Sequence, residues 1–373
     1  MCVKFAAVAA GDAMGVMNIT KVADGASDRP DRKPIGLALQ GGGSWGAFTW
    51  GALDALLDCP ELVVSQLSGC SAGAINAAIV ASALAKGSPA SAKAALASFW
   101  RRIADPVVAD LMRVWMGPVG RYWRNSLGDW MLASSAFGLH GVRALGLNPL
   151  REVVADHVDI QAIRSKSAPG LFVTVTNIRS GLPRVISNEA MSIDVLLASA
   201  CLPHLFPPVE LDGEHYWDGG YAANPTIWPM IGSGLAGDLV LIQLAPDRID
   251  FIPKDARSIR RRVAEIVFNS SLVAEMQTLA ALRELPSRGC EQPCAPKIRL
   301  HRIGPPDARL FQEGSGVDRG QAWLRLLRDE GFAAGRRFAV DHTNDIGVRE
   351  TLRIERVYFD RHNARMTMAP GTA

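Results

Sequence analysis

Two short apolar runs, residues 35–40 (IGLALQ) and 63–69 (VVSQLSG), each end in a glycine-bearing turn that leads directly into an apolar or amphipathic helix-like stretch. No other feature restricts the fold as much. Two further runs rich in Val, Leu and Ile, 170–178 (GLFVTVTNI) and 238–246 (DLVLIQLAP), have the near-continuous apolar character of strands covered on both faces. Strands of that kind alternating with helices predict an α/β fold, a three-layer α/β/α sandwich on a largely parallel central sheet. The 373 residues are enough for a substantial core, since a chain of this size buries roughly three quarters of its unfolded surface. A repeat of 20 to 50 residues is not visible, which removes a solenoid.

The formal charge of +3 is spread along the chain, which argues against nucleic acid as a partner. Six irregularly spaced cysteines (Cys2, Cys59, Cys70, Cys201, Cys290, Cys294) fit reduced, mostly buried thiols rather than a disulfide framework, and the lone C-x3-C of Cys290 and Cys294 has no second pair with which to hold a metal. The N-terminal FAAVAA is short for a signal-peptide core and lacks a convincing cleavage site, so the expectation is a cytoplasmic protein with peripheral contact at a membrane surface. The most apolar later stretch, GCSAGAINAAIVASALA, opens inside a turn and reads as a buried helix.

That turn is Gly69-Cys70-Ser71-Ala72-Gly73, a G-x-S-x-G between a strand and a helix. A serine there stands at the carboxyl edge of the sheet, and the following helix directs its amide-rich N-terminus at the same place. A serine hydroxyl needs a base to become a nucleophile. Late histidines, His342 and His362, would suit a Ser-Asp-His order. Asp218, in GEHYWDGGYAANP, sits on a sharp loop with Gly219 and Gly220 and is the other candidate.

The first glycine turn, QGGGSWGAF, has the G-x-G-x-x-G spacing of a dinucleotide site in Gly41, Gly43 and Gly46. A dinucleotide-binding oxidoreductase also needs an acid at the end of the second strand, and there this chain has the serine turn instead. Bare backbone amides at the three consecutive glycines, Gly41, Gly42 and Gly43, suit the oxyanion of an acyl-transfer intermediate better. No metal or organic cofactor is needed by such chemistry.

Taken together, GGGSWGAF, GCSAG and DGG, with the supporting segments LFVTVTNIRSG and ASACLPHLFPPVEL, resemble the patatin-like phospholipase family over roughly residues 34–340. The resemblance implies a lipid acyl hydrolase of phospholipase A or lysophospholipase type with a Ser-Asp dyad and no catalytic histidine. It implies Ser71 as nucleophile, Asp218 as base, the amides of Gly41 to Ser44 as oxyanion hole, and Gly46, Gly69, Gly73, Gly219 and Gly220 as motif glycines. One position departs: members often carry Arg, Lys or His where this chain has Trp45, although backbone donation needs no particular side chain there. Acyl transfer on the same dyad, a Ser-His-Asp esterase and a non-catalytic lipid-binding scaffold are the alternatives.

The expected organisation is an N-terminal extension (1–33), a catalytic domain (34–345) and a C-terminal extension (346–373). Residues 107–139 mix Met112, Trp115, Met116, Trp123, Trp130 and Met131 with Arg113, Arg121 and Arg124, a composition that suits an acyl tunnel or an interfacial lid and equally suits plain helical packing. In 256–285, Ile259, Val263, Ile266, Val267, Met276 and Leu279 form one helical stripe, read as facing the core with the arginines in solvent.

Overall fold

The computed structural model describes residues 32–106, 148–203, 206–232, 237–284, 298–307, 310 and 318–359. The N-terminal extension up to residue 31, the 107–139 segment, His204, Cys2, Cys290, Cys294 and His362 lie outside the described residues.

The four apolar runs are strands: β1 (Lys33–Leu39), β2 (Leu62–Gly69), β3 (Gly170–Asn177) and β7 (Asp238–Ile242). With β4 (Pro183–Ser187), β5 (Val209–Leu211), β6 (Glu214–Asp218) and β8 (Arg299–Ile303) they form one eight-stranded sheet in the order β5-β6-β3-β2-β1-β7-β8, with β4 paired to β3. The five strands from β3 to β8 along that path are parallel, and β4, β5 and β6 are added antiparallel.

Side-chain alternation divides the strands between two cores, as a pleated sheet covered on both faces requires. Ile35, Leu37 and Leu39 of β1 and Val240 and Ile242 of β7 join one core with α1 (Gly46–Leu57), α2 (Ala72–Lys86), α3 (Pro89–Ile103) and α9 (Gln321–His342). Ala38, Leu239 and Leu241 join the other with α8 (Ala256–Glu284). The short helices α4 (Pro149–Ala155), α5 (Ile160–Arg164) and α6 (Ile193–Ser199) complete the first layer, and α7 (Trp228–Gly232) and α10 (Ile354–Val357) the second. This is the expected α/β/α sandwich. The chain goes on packing beyond residue 345, with Leu352, Ile354 and Tyr358 buried against the second core.

Helix α9 lies close along α1 because glycines meet backbone. A Cβ on Gly51 would strike the Arg328 carbonyl oxygen, and one on Gly331 the Phe48 carbonyl oxygen. The buried Asp54 carboxylate accepts from Arg328 at 2.9 Å across the same contact. At its N-terminal end Trp323 meets Trp45 edge to face, 5.3 Å between ring centroids.

Helix α8 departs from the stripe read in its sequence. Met276 and Leu279 are buried as expected, whereas Ile259 (45% exposed), Val263 (52%), Ile266 (52%) and Val267 (44%) face outward. At about 3.6 residues per turn those four lie on the side of the helix opposite Met276 and Leu279, so the six positions span two faces, and the face toward β7 and β8 is the buried one. Among the described residues no helix is long and apolar enough to cross a membrane.

Candidate active site

Strand pairing explains why Ser71 and Asp218 meet. Strand β3 has two edges, and β4 fills one from Phe172 to Thr176. On the other edge β2 pairs only as far as Gly69 opposite Val173, after which the chain turns away at Ser71 into α2. Strand β6 takes up the vacated edge, with Asp218 opposite Val175, two residues further on. The serine turn and the aspartate loop therefore follow one another along a single strand. Consistent with this, a Cβ on Gly219 would come within 3.1 Å of Cys70 Cβ.

The turn at Ser71 is sharp. Its φ of 52° lies in the left-handed region and its ψ is −128°, a combination that strains a residue with a side chain. Its N–H is held by the Ser199 carbonyl oxygen (3.1 Å) and hydroxyl (3.0 Å). Ser199 in turn donates its hydroxyl proton to the Thr174 carbonyl at 2.8 Å. Gly73 permits the approach of β1, because a side chain there would strike the Leu39 carbonyl oxygen.

Asp218 is fully buried. Its own N–H donates to the Cys201 carbonyl (2.8 Å), and its carbonyl accepts from Thr176 Oγ1 (2.8 Å). Its Oδ1 accepts the Gly220 N–H at 2.8 Å, while Oδ2 has no hydrogen-bond partner. Burial therefore dominates its titration and pushes the pKa up to about 7, opposed by the Gly220 N–H and then by the Ser71 hydroxyl. The Ser71 hydroxyl is thus near enough to act on the carboxyl, although no hydrogen bond joins it to Oδ2.

The glycine loop enters the site from β1. Gly43, with φ of 60°, opens a short 3-10 turn (Gly43–Trp45) that runs into α1 at Gly46. Gly41 was expected among the oxyanion donors, but its N–H points elsewhere and donates to Asn224 Oδ1 at 2.6 Å. The amides of Gly42, Gly43 and Ser44 remain at the head of the turn, where no intrahelical carbonyl precedes them. Trp45 is buried against Trp323, so its side chain serves the α1–α9 contact.

A cavity of about 90 Å³ opens onto these groups. Gly43, Ser44 and Ser71 line one part, and Ile75, Phe99, Trp100, Ile103, Leu202 and Phe206 the apolar remainder. Arg319, just ahead of α9, is the charged residue among the described lining residues. A roomier cleft of about 580 Å³ lies at the other end of α2, beside the Lys86–Asp159 ion pair and away from Ser71.

His342 is not brought to the site. Its neighbour Thr343 accepts from Lys33 at the N-terminal end of β1, the opposite edge of the sheet from the glycine loop. Nineteen residues of helix separate it from Trp323, about 28 Å at 1.5 Å per residue. Its Nδ1 is bonded to Asp345 Oδ2 at 2.9 Å. The Ser-His-Asp alternative built on His342 is therefore corrected by position alone.

Asn224, Gln40, Ser199 and Arg319 are site residues that the motifs did not indicate. Asn224 had a faint signal, a polar residue ahead of proline six positions after Asp218; Gln40 had another, a polar residue closing an apolar strand. Ser199 and Arg319 had none, because each arrives from a distant segment.

A strained serine at a strand-to-helix turn, a buried carboxylate and a glycine loop thus come together at one sheet edge. The sequence matches the patatin-like phospholipase family over residues 37–231, more than half of the chain, and the protein belongs to that family. Among solved structures it is similar to VipD from Legionella pneumophila, at 16% identity over 81% of this chain and 67% of VipD, with a TM-score of 0.34. It is also similar to the type III effector protein ExoU, at 15% identity over 83% of this chain and 53% of ExoU, with a TM-score of 0.31. The chain thus spans about half the length of ExoU. No curated protein matches.

Proposed function

We propose that this protein hydrolyses the acyl ester bonds of phospholipids through a Ser71–Asp218 dyad. The observation that carries the reading is the juxtaposition of the strained Ser71 with a buried carboxyl whose Oδ2 is unengaged. Ionised Asp218 takes the Ser71 hydroxyl proton as the oxygen attacks the ester carbonyl. The tetrahedral oxyanion is held by the amides of Gly42, Gly43 and Ser44, and the positive end of α2 adds to that field. The alcohol leaves with the proton, and Asp218 then deprotonates the water that frees the fatty acid and restores Ser71. In this reading the apolar part of the cavity takes the start of the acyl chain, and Arg319 provides a cation for a phosphate near the scissile ester.

Product analysis on vesicles of a phospholipid and on an emulsion of a neutral glyceride tests it. Wild type is expected to release fatty acid from the phospholipid, and Ser71→Ala to release none. Arg319→Gln is expected to lose about 10-fold on the phospholipid, with little change on the neutral ester. Undiminished release by Ser71→Ala would overturn the reading.

A further inference from the structure

The donors of an oxyanion hole must be held to within about 0.5 Å, yet a run of three glycines is the most freely moving backbone a chain can have. Something has to fix it. The Asn224 side chain, 1% exposed, meets Gly41 with both ends of its carboxamide. Its Oδ1 accepts the Gly41 N–H at 2.6 Å, and its Nδ2 donates to the Gly41 carbonyl at 3.3 Å. The same Oδ1 accepts the Cys70 thiol proton at 2.7 Å. The orientation of the amide is fixed by these partners, since a flipped group would set NH2 against two donors.

The backbone of Asn224 is held as well. Its N–H donates to Ser271 Oγ at 3.1 Å, and its carbonyl accepts from Gln40 Nε2 at 3.2 Å. Gln40 is itself fully engaged: Nε2 also reaches Asn269 Oδ1 at 2.9 Å, and Oε1 accepts the N–H groups of Leu244 (2.7 Å) and Ala245 (2.8 Å). One carboxamide therefore joins three loops: the glycine loop at Gly41, the serine turn at the residue before Ser71, and its own loop, which begins at Asp218. There is little slack in the join, because a Cβ on Gly41 would lie 2.6 Å from the Cys70 carbonyl oxygen and 2.9 Å from Ser71 Cβ.

We propose that Asn224 is a positioning residue that sets the glycine-loop amides in register with Ser71 and Asp218. It acts through Gly41, whose amide it removes from the donor set so that the following amides point at the reacting oxygen. This inference rests on the dyad reading above. An oxyanion is bound more tightly in the transition state than the carbonyl is in the ground state, so loss of register lowers kcat and leaves KM nearly unchanged.

The test is Asn224→Ala and Asn224→Asp, each titrated to completion with a fluorophosphonate and then assayed on a short-chain ester. The expected result for Asn224→Ala is a wild-type fraction of titratable sites, kcat per titrated site down about 100-fold, and an unchanged KM. Asn224→Asp keeps the acceptor for Gly41 and Cys70 and is expected to recover part of that loss; if the alanine variant does not fold, a kcat per titrated site below wild type in Asn224→Asp decides. Wild-type kcat per titrated site in either folded variant, even with fewer sites, would reduce Asn224 to a structural role and overturn the proposal. Full hydrolysis by Ser71→Ala would instead remove the dyad reading beneath it.

Discussion

Two buried aspartates in this sheet have opposite surroundings. Asp238, at the start of β7, is 2% exposed and has both oxygens occupied. Arg299 donates to Oδ1 and Oδ2 at 2.9 and 2.8 Å, His301 Nε2 donates to Oδ1 at 2.9 Å, and the Gly347 N–H to Oδ2 at 3.0 Å. Burial alone would raise its pKa, but these donors together bring it below the usual value. Asp218, at the end of β6, has one backbone N–H and an unengaged Oδ2, so there burial wins. The first carboxylate ties β7 to β8 and to the loop beyond α9. The second is kept short of donors, and what it lacks in stability it has in basicity. Burial does not separate the structural acid from the proposed base; the number of donors around each does.

The contrast can be broken at either end. The largest effect is expected for Asp218→Asn, with ester hydrolysis down at least ~10³-fold, the scale of a lost general base. The same variant should become more stable than wild type. A carboxyl whose folded pKa is raised to about 7 costs stability once the unfolded chain ionises, so the gain should be absent near pH 3, grow between about pH 4 and 7, and level off at up to about 4 kcal/mol. Urea unfolding at pH 5 and pH 8 checks it, and a loss of stability at pH 8 would contradict it.

A smaller, opposite change is expected at Asp238→Asn. Unfolding should show a destabilisation of about 2–3 kcal/mol, the size of a lost hydrogen bond to charged groups, while kcat per folded molecule stays at the wild-type value. The smallest effect is in the pH dependence. Because the folded pKa of Asp238 is depressed, its contribution is complete above the unfolded carboxylate range and is lost as pH falls through the folded value. Wild type should therefore lose stability on acidification below about pH 4 more steeply than Asp238→Asn.

Much of this was legible in the sequence. The strands leading into the glycine loop and the serine turn announce themselves by apolar runs that stop at glycines, and Ser71 and Asp218 stand out by residue type beside glycines, although EHYWD of β6 gives no apolar run. The difference between Asp218 and Asp238 was not, because it depends on Arg299, His301 and Gly347 arriving from strands and loops far along the chain. Gly41 failed as a donor for the same reason: nothing local to QGGGSWG reveals that Asn224 will take its amide. Helix α8 shows a third kind of limit, since Val263 and Met276 lie on different faces of a helix with apolar residues on both, and only the sheet decides which face is covered.

The central claim, that a buried Asp218 and no histidine activates Ser71, is tested most directly by kcat/KM on a short-chain ester from pH 5 to 9, which reports the titration of the free enzyme. The predicted profile rises with pH through about 7 and then stays level, with His342→Ala on the same curve and Asp218→Asn near zero throughout. A wild-type profile in Asp218→Asn, or one abolished in His342→Ala, would contradict it.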